Sequence, residues 1–191
     1  MKRDVLIAGF GGQGVLLMGQ LLAEAAMDEG FHVTWFPSYG PEMRGGTANC
    51  TTVYSDEEIG SPISSKYDFV IAMNQPSMER FAPRVRTGGF LLVNASMVPV
   101  RCSDQSISAI YVPTAEIARE VGNERVGNVV MLGALLGLDA GLGLESLAGA
   151  IERVIGKKRP DAIEANLAAL HAGRAAACRE FGLSLSAPVA Q

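Results

Sequence analysis

A cluster of glycines with one amide side chain lies directly after the first apolar segment of the chain. Residues 9–14 read Gly-Phe-Gly-Gly-Gln-Gly, which satisfies the spacing G-x-G-x-x-G. A strand-like segment (residues 3–8) precedes these glycines, and a long apolar segment typical of a helix follows them. In this context the backbone N–H groups at a helix start attract phosphate or carboxylate, as in a dinucleotide-binding turn. The candidate contact residues are Gly11, Gly12, Gln13 and Gly14.

The second half of a dinucleotide-binding pattern is missing. That half is an Asp or Glu about twenty residues further on, at the end of the second strand, where it binds the ribose. Trp35, Phe36 and Pro37 occupy this place. The nearest acid, Glu42, lies inside a glycine-flanked loop. The glycines also fit a purely structural role, because residues without Cβ allow a helix and a strand to pack closely.

A second glycine-containing loop carries a phenol, a carboxylate and a guanidinium. Residues 38–46 read Ser-Tyr-Gly-Pro-Glu-Met-Arg-Gly-Gly and follow the predicted second strand. The glycines allow another chain or a ligand to approach closely, and loops at strand ends of α/β proteins often form binding sites. A surface loop with an internal pair between Glu42 and Arg44 would explain the same residues. The candidates here are Ser38, Tyr39, Glu42, Arg44, Gly45 and Gly46.

Strand-like and helix-like segments alternate along most of the chain and must position these two loops. Apolar or β-branched segments predict strands at residues 3–8, 31–36, 47–54, 68–74, 90–94 and 107–112. Pro37 is expected to end the second strand. Helices are predicted at residues 13–29, near Pro76, at 114–121, and throughout the part that follows Gly127. The alternation predicts a single three-layer α/β/α domain over residues 1–182, with a mainly parallel Rossmann-like sheet and a helical C-terminal part. Residues 183–191 are expected to be a loosely ordered tail.

Composition excludes several classes of protein. The chain has 191 residues, of which 48% are hydrophobic and 19% charged, and this indicates a globular domain whose surface is partly covered by a partner. A net charge of −4 with scattered basic residues argues against nucleic-acid binding. The longest apolar segment, residues 126–138, is shorter than the roughly 20 residues of a membrane span. Because the N-terminus also lacks a signal-peptide pattern, we expect a cytoplasmic protein without a membrane partner.

The cysteines and histidines do not form a catalytic or metal-binding set. Cys50, Cys102 and Cys178 are far apart and contain no C-x-x-C spacing, so we interpret them as packing residues. Three isolated thiolates are too few for a typical iron–sulfur cluster. His32 and His171 are interpreted as structural or surface residues. We therefore expect that this chain alone binds no cofactor or metal and supplies no catalytic residue.

Three ordered segments together resemble the gamma subunit of the 2-oxoacid:ferredoxin oxidoreductases, the family that acts on pyruvate, 2-oxoglutarate or ketoisovalerate. The first is Gly-Phe-Gly-Gly-Gln-Gly-Val at residues 9–15, and the second is the loop at 38–46. The third begins with Val-Pro-Thr-Ala-Glu-Ile-Ala at residues 112–118 and runs on through Gly122-Asn123 to Asn128-Val-Val-Met-Leu-Gly133. The resemblance covers the chain from Val5 to Ile155.

The resemblance implies a complex that decarboxylates a 2-oxoacid on thiamine diphosphate, transfers the acyl group to coenzyme A and passes two electrons through iron–sulfur clusters to ferredoxin. The alpha and beta subunits would bind thiamine diphosphate with Mg²⁺. The iron–sulfur clusters would also lie on chains other than this one, and a ferredoxin-like delta subunit would complete the complex. This chain would pack on the alpha subunit, with residues 11–14 and 38–46 facing the region of coenzyme A. Arg44 is then a candidate for binding an anionic group. In this family substrate specificity lies mainly on the thiamine-binding chains, so this sequence does not identify the substrate. We expect 2-oxoglutarate, with pyruvate, branched-chain 2-oxoacids and indolepyruvate as alternatives.

Two other functions fit parts of the sequence. One is a self-sufficient NAD(P)-dependent oxidoreductase, against which the missing ribose acid and the lack of a catalytic set both argue. The other is a non-enzymatic module that binds a small anion or a nucleotide at the glycine turn. Binding of NAD(H) or coenzyme A to the isolated chain would separate these cases.

Overall fold

The computed structural model describes residues 1–39 and 46–182, and its strands form a six-stranded sheet. The strands are β1 (Lys2–Phe10), β2 (His32–Tyr39), β3 (Thr47–Ser55), β4 (Tyr67–Ala72), β5 (Val85–Asn94) and β6 (Ser108–Val112). Their order across the sheet is β2-β3-β1-β4-β5-β6. Strand β3 is antiparallel to both of its neighbours, whereas β1, β4, β5 and β6 pair in parallel. Five of the six strands therefore point in the same direction, which confirms the predicted, mainly parallel α/β sheet.

Helices cover both faces of the sheet. They are α1 (Val15–Asp28), α2 (Gln75–Phe81), α3 (Thr114–Glu120), α4 (Gly127–Leu136), α5 (Leu144–Val154) and α6 (Ile163–Phe181). In β1, Val5 and Ile7 point into a core shared with α1, α4, α5 and α6. Leu6 and Ala8 point into a second core beneath the short helix α2. Successive strand residues face opposite sides, so this apolar strand is buried on both faces between two helical layers.

The C-terminal part of the described chain is helical, as predicted. None of the helices within residues 1–39 and 46–182 is long and apolar enough to cross a membrane. Helix α4 is buried along almost its whole length, from Val129 to Leu136, and packs against α6. The apolar segment at 126–138 is therefore a core helix in contact with the first core.

Strand β2 is longer than the sequence predicts. Pro37 lies inside β2 and does not end it, and Ser38 and Tyr39, which we expected in a loop, are its last residues. Because β2 is the edge strand of the sheet, a residue without an N–H group is tolerated there. Tyr39 pairs with Ala48 of β3, and Thr47 of β3 pairs with Phe10 at the end of β1.

Candidate functional site

The glycine turn joins the end of β1 to the start of α1. Gly12 and Gly14 have φ angles of +99° and +75°, a region that residues with a Cβ atom rarely adopt. Gly14 is also the N-cap of α1. A Cβ atom on Gly9 would lie 2.9 Å from Met73 Cβ and 2.8 Å from Val15 Cγ2, so this glycine allows α1 to approach the sheet. The geometry accounts for glycine at positions 9, 12 and 14.

Gln13 uses its side-chain amide within the chain. Its Oε1 accepts hydrogen bonds from Phe10 N at 2.7 Å and from Asn74 Nδ2 at 2.9 Å. Its Nε2 donates to the Met73 carbonyl oxygen at 3.2 Å. The half-buried Gln13 side chain therefore connects the turn to the end of β4 and holds the turn in place.

A hydrogen-bond network continues from Met73 to the ends of the next two strands. Asn94 Nδ2 donates to the Met73 carbonyl oxygen at 3.4 Å, and Asn94 Oδ1 accepts from Thr114 Oγ1 at 2.7 Å. The backbone N–H of Ser96 also donates to Asn94 Oδ1, at 3.2 Å. Asn94 and Thr114 are buried, and burial makes a satisfied network of this kind rigid. The network joins the carboxyl ends of β1, β4, β5 and β6.

A cleft of about 640 Å³ lies above this network. Helix α1, which follows β1, and helix α2, which follows β4, pack on opposite faces of the sheet. The cleft therefore lies where the connections diverge, the usual position of a ligand site in an open α/β sheet. A second cavity of about 270 Å³ adjoins the other side of the turn. The residues that line the larger cleft include Gly12, Gly14, Met73, Asn94, Ser96, Thr114, Glu124, Arg125 and Asn128.

The structure brings the glycine turn and the last residue of the second segment together at the carboxyl end of β1. The Gly11 N–H donates to the carbonyl oxygen of Gly46 at 2.8 Å, so the glycine turn contacts the end of the second segment. Ser38 is exposed on β2, opposite Asn49. The remaining candidates of the second segment, Glu42, Arg44 and Gly45, lie outside the described residues.

Several residues of the cleft were not among the sequence candidates. Asn94 and Thr114 line the cleft and belong to the network, and Asn74 belongs to the network without lining the cleft. Arg125 lies in the short turn before α4, and Asn128 lies in the first turn of α4. Asn128 packs directly on the turn, because a Cβ atom on Gly14 would lie 2.5 Å from Asn128 Nδ2. The sequence could have indicated three of these residues by their positions, because Asn94 ends a buried strand and Asn74 and Thr114 each follow one by two residues.

The described residues that line the cleft include no histidine and no cysteine. The part of the chain that the structure describes contains no cluster of three or more His, Cys, Asp or Glu residues that could hold a metal ion. His32 and His171 are exposed and do not line the cleft. Burial raises the pKa of the Cys50 thiol to about 12, and this thiol donates to the Val15 carbonyl oxygen at 3.4 Å. Cys50 is therefore a packing residue and not a nucleophile.

Sequence comparison places this chain among subunits of 2-oxoacid oxidoreductases. Residues 4–176 match the family described as pyruvate ferredoxin/flavodoxin oxidoreductase. The chain is 46% identical over 170 residues to ketoisovalerate oxidoreductase subunit VorA of Methanothermobacter thermautotrophicus. The aligned region covers 88% of this chain and 35% of VorA. It is 36% identical over 181 residues to 2-oxoglutarate synthase subunit KorC of Methanothermobacter marburgensis, covering 91% of this chain and 96% of KorC. The chain thus spans about a third of the length of VorA.

The fold agrees with these relatives. The gamma subunit of keto/oxoacid ferredoxin oxidoreductase from Geobacter sulfurreducens superposes with a TM-score of 0.83 at 26% sequence identity. The match covers 94% of this chain and 98% of that subunit. Because the family match spans most of the sequence and the same fold is found in a gamma subunit, this chain belongs to the pyruvate ferredoxin/flavodoxin oxidoreductase family.

Proposed function

We propose that this chain is the gamma subunit of a 2-oxoacid:ferredoxin oxidoreductase, active only in a complex with the subunits that hold thiamine diphosphate and the iron–sulfur clusters. The complex would decarboxylate a 2-oxoacid, form an acyl-coenzyme A and reduce ferredoxin. The observation that carries this proposal is the family match over residues 4–176. The cleft adds support, because its lining combines the glycine turn at the start of α1 with the guanidinium of Arg125.

Within the complex, we infer that the glycine turn and the cleft contribute to the coenzyme A region. Gly12 is exposed, and no atom lies within 4 Å of the position that its Cβ would occupy. A ligand group could therefore approach the backbone N–H groups at the start of α1, where negative charge is stabilised. Arg125 lines the same cleft and makes no ion pair with another described residue. These features fit the phosphate groups of coenzyme A.

The thiamine-binding subunits would select the substrate, so the residues of this chain do not identify it. We therefore infer the substrate from the named relatives. The identity to VorA, 46%, exceeds the identity to KorC, 36%. This difference favours a branched-chain 2-oxoacid such as ketoisovalerate over the 2-oxoglutarate that we expected from the sequence.

The strand order argues against the alternative of an NAD(P)-dependent dehydrogenase. In the dinucleotide-binding fold the second strand lies next to the first, and its terminal acid reaches the ribose. Here β3 separates β2 from β1. The end of β2 is therefore about 10 Å from β1, twice the spacing of neighbouring strands. The last residues of β2, Ser38 and Tyr39, also offer no carboxylate.

Reconstitution tests the proposed function. The chain is purified alone and with its thiamine-binding and ferredoxin-like subunits, and viologen reduction is measured with coenzyme A and ketoisovalerate, 2-oxoglutarate, pyruvate or indolepyruvate. The full complex should be active, and the complex without this chain should lose coenzyme A-dependent turnover. The chain alone should be inactive and lack iron–sulfur absorbance. Micromolar binding of NAD(H) by the isolated chain, measured by calorimetry, would contradict the proposal.

A further inference from the structure

A cavity of about 380 Å³ lies at the opposite end of the sheet from the glycine turn. Its walls come from the first residues of β1 and β4, the first half of β5, the loop after α4 and the end of α6. None of these residues lines the larger cleft, so the two places are separate. A cavity of this size can hold a small organic molecule. We call it the phenylalanine cavity.

One wall of the phenylalanine cavity is aromatic. Phe69 and Phe90 stack with their ring centroids 5.5 Å apart, and Phe181 meets Phe90 edge to face at 5.2 Å. Leu138, in the loop after α4, adds a fourth apolar side chain. Phe181 is 41% exposed, whereas Phe69 and Leu138 are buried. This wall can therefore bury the apolar part of a ligand, and an aromatic ring would add to the existing cluster of rings.

Two charged groups of opposite sign in the lining have no partner among the described residues. Arg3 makes no ion pair there, and its Nε is buried without a hydrogen-bond acceptor. Folded proteins seldom leave a buried N–H group unsatisfied, because its desolvation is costly. The exposed Asp139 makes no ion pair in the same part of the chain. The other two charged residues of the lining, Asp68 and Arg86, pair with each other.

Arg3 lies beside the loop that carries Asp139. A Cβ atom on Gly141, two residues after Asp139, would lie 4.0 Å from Arg3 Nε. The two charges nevertheless do not pair, which leaves room between them for the charged groups of a ligand. Asp139 also has a φ of +58°, and no other non-glycine residue that the structure describes has a positive φ. Such strained backbone is found preferentially at ligand and functional sites.

We propose that the phenylalanine cavity binds an α-amino acid with an apolar side chain. The carboxylate of the ligand would accept hydrogen bonds from Arg3, including one from the unsatisfied Nε–H, and the ammonium group would pair with Asp139. The side chain would lie against the three phenylalanines. A simple carboxylic acid would place a second negative charge near the unpaired Asp139, and a simple amine would leave Arg3 unsatisfied, so a zwitterion complements the lining best. Binding of this kind does not depend on the proposed function.

Calorimetry of the full chain with three matched ligands tests the charges of the site. L-phenylalanine carries both charged groups, 3-phenylpropanoate lacks the ammonium group, and phenethylamine lacks the carboxylate. L-phenylalanine should bind about tenfold or more tightly than either of the other two, because each of them loses one charge-assisted contact. L-leucine should also bind, and L-alanine should bind more weakly, because its methyl group leaves the aromatic wall uncovered.

Two variants assign the contacts, and one serves as a control. Arg3→Gln should weaken L-phenylalanine binding about tenfold but should not weaken phenethylamine binding. Asp139→Asn, which keeps a side chain that tolerates positive φ, should weaken L-phenylalanine but not 3-phenylpropanoate. Arg80→Gln removes an exposed cation from α2, outside the cavity, and should bind L-phenylalanine like the wild type. The melting temperature of Arg3→Gln should stay within a few degrees of the wild type, because Nε has no hydrogen bond to lose.

Three results would overturn the proposal. One is the absence of L-phenylalanine and L-leucine binding by the wild-type chain up to millimolar concentrations. Another is binding of 3-phenylpropanoate as tight as that of L-phenylalanine, which would identify a site for carboxylates alone. The third is an equal loss of affinity for all three ligands in Arg3→Gln, which would give Arg3 a structural role. The ligand comparison on the wild-type chain decides the first two even where a variant does not fold.

Discussion

Replacing Gly14 with alanine should destabilise the domain through two effects that can be measured separately. The first is backbone strain, because its φ of +75° costs a residue with a Cβ atom about 1–2 kcal/mol. The second is crowding, because the new Cβ would lie 2.5 Å from Asn128 Nδ2 and 3.2 Å from Asn128 Cβ. The Asn128 amide, whose Cγ would also lie 3.0 Å away, must move to make room, so crowding adds about 1 kcal/mol. The expected loss of unfolding free energy for Gly14→Ala is about 2–3 kcal/mol.

A double-mutant cycle separates the crowding from the strain. Asn128→Ala removes the atoms nearest to the new Cβ, so Gly14→Ala should cost about 1 kcal/mol less in the Asn128→Ala background. Gly12 supplies the matched control, because its φ is +99° but no atom lies within 4 Å of a Cβ there. Gly12→Ala should therefore show strain alone, and its cost should add to that of Asn128→Ala within about 0.5 kcal/mol.

The assay is urea unfolding of the purified chain, followed by far-ultraviolet circular dichroism at a constant m-value. Gly14→Ala should lower the midpoint, and the Asn128→Ala background should restore part of the loss. Wild-type stability of Gly14→Ala would show that the turn is not held in the left-handed conformation. Equal coupling of Gly12 and Gly14 to Asn128 would show that Asn128 does not pack on the turn as described.

Two further predictions concern side chains outside the turn. Arg44→Ala should leave the melting temperature of the chain nearly unchanged but weaken coenzyme A or alpha-subunit binding by about ten- to a hundredfold. Arg44→Lys should recover only part of this affinity, because an ammonium group cannot make the paired charge-assisted contacts of a guanidinium. Titration of the reconstituted complex tests this, and wild-type affinities would exclude Arg44 from the site. Burial raises the pKa of the Cys50 thiol to about 12, so almost none of this thiol is ionised at pH 8. Iodoacetamide should therefore label the half-buried Cys102 before Cys50. Mass spectrometry of the native and urea-unfolded chain checks the order, and rapid native labelling of Cys50 would contradict its burial.

The parallel sheet could be predicted because its strands are apolar on both faces. Val5 and Ile7 alternate with Leu6 and Ala8, and all four are buried, which is the pattern of a strand covered by helices on both sides. The place of β3 could not be predicted in this way. Its buried Thr52 donates to the Gly19 carbonyl oxygen at 3.1 Å, a partner that is 33 residues away in the sequence. The order of strands depends on contacts of this kind, which local patterns do not specify.

The glycine turn was predictable from spacing, but the use of Gln13 was not. The G-x-G-x-x-G pattern between a strand and a helix specifies a tight turn, and the positive φ angles of Gly12 and Gly14 agree with it. The same pattern left open whether Gln13 contacts a ligand. Its partners, Met73 and Asn74, are about sixty residues further along the chain, at the end of β4. Only the folded sheet brings these groups within hydrogen-bond distance.

A positional rule would have identified the network from the sequence. Asn74, Asn94 and Thr114 each stand at or just after the end of a buried parallel strand, and such ends meet at one edge of the sheet. These side chains bond to one another and to Gln13 and Met73, so they form a fixed, uncharged base for the cleft. Among the described residues that line the cleft, Arg125 alone carries a positive charge. Under the proposed function, an anionic group of the ligand would meet the backbone N–H groups at the start of α1 and the guanidinium of Arg125.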